Sequence, residues 1–146
     1  MILFDTSVIL DALYEDSEHF DWAISVIGEA TSTVGAAVNA VTVAELCAGD
    51  REPDAVESDL RNWGIKILDV PVAAASVCGK AHRRYALARR TSGGGVAPKI
   101  PLPDFFIGAH AEIMRWKLAT RDVERIARYF PKVSLLTPKK VLQESR

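Results

Sequence analysis

Cysteine is scarce in this sequence, and its cysteines are not spaced as metal ligands. Cys47 and Cys78 are the only two among 146 residues, and neither belongs to a C-x-x-C or a Cys/His ligand pattern. This spacing argues against a structural zinc site. Isolated thiols are typical of proteins that keep their cysteines reduced, so we expect a cytoplasmic protein with two unpaired, buried cysteines.

Long apolar runs and nucleotide-binding loops are also missing. Asp5 and Asp11 interrupt the apolar amino-terminal residues, and no basic segment precedes them. No other run approaches the roughly 20 apolar residues that span a bilayer, so we expect neither a signal peptide nor a membrane segment. The pattern G-x-x-x-x-G-K-S/T does not occur, which excludes nucleotide hydrolysis by a P-loop.

No charge of either sign dominates the composition. Eighteen basic and nineteen acidic residues give a net charge of −1, so the bulk charge favours no class of partner. The length of 146 residues is that of one ordinary domain. We therefore expect a single domain over residues 1–146.

The clearest local pattern lies in the first ten residues. Ile2–Phe4 is an apolar run too short for a helix, and Asp5, Thr6 and Ser7, three residue types that favour helix starts, follow it at once. Because the run does not alternate with polar residues, we expect a parallel strand covered on both faces. Asp5 would then lie at the carboxyl end of a central strand, where ligands bind in open α/β sheets.

The rest of the chain alternates between strand patterns and helix patterns. Further strands are expected at 36–41, 65–68, 117–119 and 133–136. Helices are expected after Asp5, from about Ser17, from Thr42, from Pro53 to Gly64, and over 72–90, 104–116 and 122–129. This alternation predicts an α/β fold, a three-layer α/β/α sandwich around a parallel sheet of about five strands.

Four acidic residues occupy similar places in this pattern, at the starts of helices. They are Asp5, Glu45, Asp104 and Asp122. Because the carboxyl ends of parallel strands and the amino ends of the following helices share one edge of the sheet, the four should converge there. Each acid alone also has an ordinary explanation, since acids are favoured at helix starts and Thr42 with Glu45 has capping-box spacing.

Convergent carboxylates repel one another unless they take up protons or hold a cation. An oxygen-only set of ligands without His or Cys suits Mg²⁺, with Mn²⁺ as an alternative. Such an ion could activate water and stabilise the leaving oxygen of a phosphodiester. The pattern therefore favours metal-assisted phosphodiester hydrolysis.

Four short motifs, in a fixed order, also carry a family resemblance. They are Asp5-Thr6-Ser7 after an apolar strand, Val43-Ala44-Glu45-Leu46, the segment PLPDFFIGAHA at 101–111, and Ala119-Thr120-Arg121-Asp122. Together they resemble a PIN-domain ribonuclease, and in particular the VapC toxins of bacterial and archaeal toxin–antitoxin pairs. The resemblance covers essentially the whole chain and implies a PIN-like fold.

The resemblance implies a Mg²⁺-dependent endoribonuclease that a cognate antitoxin inhibits and that is commonly a homodimer. Asp5 and Asp104 match the main metal-holding acids of the family, and Asp122 matches its fourth acid and a further metal ligand. Glu45 matches the acid that orients the metal-bound water.

Two hydroxyl residues also match the family, and one acid departs from the usual family pattern. Ser7 and Thr120 match hydroxyls that bind the carboxylates or a phosphate. Many relatives place the fourth acid a few residues after Asp122, where this chain has Glu124 and Arg125. The match of Asp122 therefore departs from the usual pattern.

A basic segment lies between Asp69 and Asp104, where no acid occurs. Its cations are Lys80, Arg83, Arg84, Arg89, Arg90 and Lys99. A basic segment beside an acidic pocket suits an RNA backbone that is led to a metal site. Tyr85 could stack a base, although a buried or half-exposed tyrosine is commoner. A solvated outer face of a helix explains the same cations equally well.

Two other classes of function are compatible with parts of this pattern. A non-catalytic module on the same fold could bind RNA or protein in the groove, although intact acids at all four positions favour catalysis. An aspartyl-phosphate phosphatase also places an Asp at the end of its first strand. It usually has a second acid two residues later, where this chain has Ser7.

Overall fold

The computed structural model describes residues 1–50, 52–91 and 102–139. Within them the strands are β1 (Ile2–Phe4), β2 (Ala36–Asn39), β3 (Ile65–Leu68), β4 (Lys117–Ala119) and β5 (Leu135–Leu136). The helices are α1 (Thr6–Leu13), α2 (Phe20–Ser32), α3 (Ala40–Gly49), α4 (Val56–Asn62), α5 (Ala74–Thr91), α6 (Leu102–Met114) and α7 (Val123–Tyr129). A short 3-10 turn, Pro53–Ala55, precedes α4.

The strands form one parallel sheet in the order β3-β2-β1-β4-β5. The central strand β1 pairs with β2 on one side, where Leu3 lies opposite Ala37, and with β4 on the other, where Leu3 lies opposite Leu118. The chain builds one half of the sheet outward from β1 and then crosses to build the other half. The junction between β1 and β4 is therefore the switch point of the topology, where open α/β sheets form their binding crevice.

Both faces of the sheet are covered by helices. Leu3 and Phe4, adjacent in β1, are both fully buried but belong to different apolar clusters, because successive side chains of a strand point to opposite faces. The cluster around Leu3 includes residues of α5, α6 and α7, whereas the cluster around Phe4 includes residues of α1, α2, α3 and α4. The predicted three-layer α/β/α sandwich with a five-stranded parallel sheet is confirmed.

The start of α3 differs from the prediction, and the difference lies beside the site. Strand β2 ends at Asn39 rather than at 41, and α3 begins at Ala40 rather than at Thr42. The Asn39 side chain caps α3, since its oxygen accepts hydrogen bonds from the Val41 and Thr42 amides at 3.0 and 3.4 Å. Thr42 is therefore not the capping residue of a capping box with Glu45.

Other boundaries shift by small amounts. Helix α6 begins at Leu102, two residues before the predicted start, so Asp104 lies in its first turn. Helix α5 begins at Ala74 rather than at 72, and β5 is shorter than predicted. Gly64 ends the α4 region as predicted and has a φ of +84°, a conformation that favours glycine.

The two cysteines differ in burial, since Cys78 is buried as expected whereas Cys47 is only partly buried. Cys47 and Cys78 are free, and burial raises the pKa of the Cys78 thiol to about 11. In the three ranges that the structure describes, no helix combines the length and the apolar character needed to cross a bilayer.

Candidate active site

An open cleft of about 280 Å³ lies at the carboxyl edge of the sheet, around the switch point. Asp5 directly follows strand β1, Asp122 lies in the turn after β4, and Glu45 and Asp104 lie in helices α3 and α6. The structure thus brings all four predicted acids to one cleft. The same cleft is lined by Thr6, Ser7, Leu10, Ile107, Arg121, Arg125 and Ile126.

Two hydroxyl groups hold the Asp5 carboxylate. Its Oδ2 accepts a hydrogen bond from Thr120 Oγ1 at 2.8 Å and another from Ser7 Oγ at 3.1 Å. Thr120 is fully buried and its Oγ1 also accepts a hydrogen bond from the Asp122 amide at 3.0 Å, so one side chain ties two of the acids together. These are the two hydroxyls that the sequence motifs select.

Glu45 is held by a residue that sequence analysis did not select. Thr6 Oγ1 lies 3.1 Å from Glu45 Oε1 and 3.0 Å from Thr42 Oγ1, and its single proton can serve one of these acceptors at a time. Partial burial raises the pKa of Glu45, the Thr6 hydrogen bond opposes this, and the charges of Asp104 and Asp5 raise it further. Thr6 is the middle residue of the Asp5-Thr6-Ser7 motif, and this position is the signal in the sequence that could have identified it as a site residue.

Asp104 and Asp122 are bridged by one arginine. Arg125 Nη1 lies 3.3 Å from Asp104 Oδ2, and Arg125 Nε lies 3.0 Å from Asp122 Oδ2. Burial raises the pKa of Asp104, Arg125 lowers it, and the charges of Asp5 and Asp122 raise it again. The mutual influence of these carboxylates follows from their sharing one cleft.

The donor set of the cleft suits a hard divalent cation. Among the residues that the structure describes, its polar lining consists of carboxylates, hydroxyls and two arginines, with no imidazole or thiol. Oxygen donors are the ligands that Mg²⁺ and Mn²⁺ prefer. Among residues 1–50, 52–91 and 102–139, no three His, Cys, Asp or Glu side chains are arranged to hold a metal ion as they stand. Arg125 supplies the positive charge between Asp104 and Asp122 in this arrangement.

A buried pair of polar residues, His110 and Asn39, lies at the start of α3. His110 Nδ1 and Asn39 Nδ2 lie 3.2 Å apart, and both residues are almost fully buried. Burial lowers the pKa of His110, which keeps the ring neutral and lets Nδ1 accept the amide proton. Because Asn39 also caps α3, this pair fixes the start of the helix that carries Glu45.

The predicted basic segment lies largely on α5. Cys78 Sγ lies 3.8 Å from the Leu102 carbonyl, and the His82 ring lies 5.3 Å from that of Phe105, so this part of α5 runs beside the first turn of α6. Lys80, Arg83, Arg84 and Arg90 are exposed and Arg89 is partly buried, whereas Lys99 lies outside the described residues. Arg84 also donates to the Tyr129 carbonyl at 3.0 Å.

The suggested stacking role of Tyr85 is wrong. The residue is only 8% exposed, and its ring packs against those of Phe105 and Tyr129 at centroid distances of 5.6 Å. It therefore belongs to the core between α5, α6 and α7 rather than to a surface that could stack a base.

Comparison with solved structures supports the fold. The crystal structure of VapBC2 from Rickettsia felis bound to a promoter DNA fragment is similar, with a TM-score of 0.66, 19% identity, and coverage of 95% of this chain and 100% of that chain. A toxin–antitoxin complex from Klebsiella pneumoniae has a TM-score of 0.63 and 20% identity, and the match covers 97% of this chain and 100% of that chain. The crystal structure of FitAcB from Neisseria gonorrhoeae has a TM-score of 0.61 and 26% identity, and the match covers 94% of this chain and 98% of that chain.

Among curated proteins no sequence match is found. The family model of the PIN domain, however, matches residues 2–130. Because that model covers most of the sequence, and because the fold agrees with it, the chain belongs to the PIN domain family.

Proposed function

We propose that this chain is the toxin of a toxin–antitoxin pair and acts as a metal-dependent endoribonuclease. The observation that carries the proposal is the single cleft that Asp5, Glu45, Asp104 and Asp122 share at the switch point of the sheet. Four carboxylates from separate segments serve no packing purpose there, because each adds repulsion to the others. A cation-dependent reaction of a phosphodiester accounts for their convergence.

The acids divide into two roles. Asp5, Asp104 and Asp122 would hold Mg²⁺, or Mn²⁺ in its place, through their carboxylate oxygens. A bound ion of this kind polarises water and neutralises charge on a phosphate oxygen. Ser7 and Thr120 fix the Asp5 carboxylate, so its orientation is set before any ligand arrives.

Glu45 would position the attacking water and accept its proton. Its carboxylate is anchored by Thr6, and its pKa is raised by burial, which makes the group a better proton acceptor near neutral pH. The water oxygen would form a bond to phosphorus as its proton passes to Glu45, the bond from phosphorus to the leaving oxygen would break on the opposite side, and the leaving oxygen would take a proton from solvent.

An RNA backbone could reach the cleft along the first half of α5. Lys80 and Arg83 are exposed there, and this part of the helix lies beside the first turn of α6, which carries Asp104. Exchanging both cations for Glu should weaken RNA binding and reduce its dependence on salt concentration, as the loss of phosphate contacts requires.

The proposed partner is supported by the similar structures, and the expected oligomeric state rests on the family resemblance alone. The complex from Klebsiella pneumoniae is a toxin–antitoxin complex, which supports a cognate antitoxin as the partner of this chain. A small neighbouring reading frame for a DNA-binding protein is the expected genetic signature. Its product should co-purify with this chain and suppress RNA cleavage. A homodimer is expected, and light scattering of the purified chain measures it.

The decisive experiment compares cleavage of mixed RNA in Mg²⁺ and in EDTA. An Asp5→Asn variant should lose about a hundredfold or more of the rate, the size seen when a group that stabilises developing charge is removed. Asp69→Asn is the matched control, because Asp69 is an exposed acid that also follows a strand but does not line the cleft.

Each outcome separates the candidate functions. Cleavage that survives both EDTA and the Asp5 substitution contradicts the proposed mechanism. Tight RNA binding without cleavage in Mg²⁺ or Mn²⁺ identifies a non-catalytic binding module. Hydrolysis of a phosphomonoester with RNA left intact identifies a phosphatase.

A further inference from the structure

Arg125 occupies an unusual place in the cleft. It lies in the first turn of α7, and its guanidinium contacts two acids from different parts of the chain, Asp104 in α6 and Asp122 before α7. The side chains of the three residues are about one-third exposed, at 33%, 33% and 36%. The bridge is therefore neither buried in the core nor free in solvent.

The other arginine of the cleft has a different partner. Arg121 forms an ion pair through Nε with Asp11, whose side chain is only 6% exposed, and Asp11 is not among the residues that line the cleft. Arg121 thus neutralises an acid of α1. Of the two described arginines that line the cleft, Arg125 is the one paired with Asp104 and Asp122.

An arginine and a divalent ion cannot use the same carboxylate oxygens fully at once. The guanidinium donates a hydrogen bond to Oδ2 of Asp104 and forms an ion pair with Oδ2 of Asp122, and those two oxygens are among the ones that an oxygen-binding cation would use. The two positive charges would also repel each other at this distance. Binding of the ion through these Oδ2 atoms therefore requires the guanidinium to withdraw from at least one acid.

We propose that Arg125 is a resident counter-cation that competes with the divalent ion for Asp104 and Asp122 and thereby sets the metal affinity of the cleft. This inference rests on the metal-binding part of the proposed function. In the metal-free protein Arg125 offsets the repulsion among the acids. The ion binds only the fraction of molecules in which the bridge is open, so the apparent affinity is reduced by that fraction.

The size of the effect follows from the exposure of the bridge. Two ion pairs that are each about one-third exposed are weak, because solvent screens them and side-chain entropy opposes them. Opening them should weaken apparent metal binding by about three- to tenfold. Removing the guanidinium should raise the apparent metal affinity by the same factor.

The test measures Mn²⁺ binding to the purified full chain by calorimetry, after EDTA treatment and dialysis. Arg125→Gln should bind Mn²⁺ about three- to tenfold more tightly than the parent chain, and Arg125→Lys should fall between them because an ammonium lacks the fork that spans two carboxylates. Arg128→Gln is the matched control. It removes the same charge from an exposed residue of the same helix that contacts the Tyr129 ring. Its affinity should equal that of the parent chain.

Thermal unfolding gives a second readout that does not depend on catalysis. Without metal, Arg125→Gln should unfold at a lower temperature than the parent chain, because the acids lose their counter-charge. The rise in Tm on adding Mn²⁺ should be larger in this variant, and Arg125→Lys tests the same trend if the Gln variant is poorly folded.

The failures of the two proposals are distinguishable. Equal or weaker Mn²⁺ binding by Arg125→Gln, with clear binding by the parent chain, overturns the competition while leaving the proposed metal site intact. No Mn²⁺ binding by the parent chain or by any Arg125 variant overturns the metal site of the proposed function and the competition with it.

Discussion

Replacing Thr120 with valine tests whether one buried hydroxyl organises the cleft. Valine keeps the shape of threonine but has no hydroxyl, so the change removes the bond to Asp5 Oδ2 at 2.8 Å and the acceptor of the Asp122 amide at 3.0 Å. A hydrogen bond to a charged group contributes about 1.5–3 kcal/mol and a neutral one about 1 kcal/mol. Because Thr120 is fully buried, we expect a loss of about 3 kcal/mol in the free energy of unfolding.

Denaturant and thermal unfolding measure this loss. For a domain of this size, about 3 kcal/mol corresponds to a fall in Tm of roughly 6–12 °C. Thr120→Ser is the matched control, since it keeps the hydroxyl and loses only a buried methyl group, at a cost of about 1 kcal/mol. Ser7→Ala removes the longer and more exposed hydrogen bond to the same Asp5 oxygen, at 3.1 Å, and should cost less than Thr120→Val.

The ranking of these variants is the critical result. If Thr120→Val is as stable as Thr120→Ser, the hydroxyl does not support the Asp5 carboxylate, and the account of a preorganised cleft is wrong. If Thr120→Val loses much of its stability but cleaves RNA as fast as the parent chain, the hydroxyl has a structural role only.

Two further predictions concern the structure behind the cleft. Gly108→Ala should destabilise the fold by about 1–3 kcal/mol in denaturant unfolding, because a Cβ there would lie 2.5–2.9 Å from atoms of the Phe130 ring. Gly28→Ala, where a Cβ meets nothing within 4 Å, should instead stabilise its helix by up to about 1 kcal/mol, and equal effects would contradict the packing argument. The buried His110 has a lowered pKa, so the unfolded chain takes up a proton near the ordinary value of 6.5 while the folded chain does not. The free energy of unfolding should therefore fall as the pH drops below about 6.5, by at most about 1.4 kcal/mol per pH unit for one proton. Measuring unfolding between pH 7.5 and 5 tests this, and His110→Gln should remove this part of the pH dependence.

Much of the site could be predicted because its residues are marked by local patterns. The apolar run Ile2–Phe4 followed by Asp5 indicates a buried strand that ends in an acid, and neighbours within ten residues suffice to recognise it. Asp69 shows the limit of the pattern, since it also follows a strand but does not line the cleft. Its strand, β3, is at the edge of the sheet, two positions from β1, and the strand order is not a local property.

Contacts between distant segments could not be predicted in the same way. The cap of α3 is Asn39 rather than Thr42, because Asn39 is also held by His110 of α6 and the Thr42 hydroxyl contacts Thr6 of α1. Tyr85 is buried because the aromatic rings of α6 and α7 pack around it, and no pattern within α5 reveals those neighbours.

The sequence by itself determined the alternation of strands and helices, the three-layer sandwich that this alternation requires, and the edge of the sheet at which the four acids lie. Those features follow from side-chain periodicity, helix capping and the direction of parallel strands, all of which act over a few residues. Only the tertiary structure decided that Thr120 joins Asp5 to Asp122, that Thr6 holds Glu45 and that Arg125 bridges Asp104 and Asp122. These contacts depend on side-chain positions that are set when helices from both ends of the chain pack on one sheet.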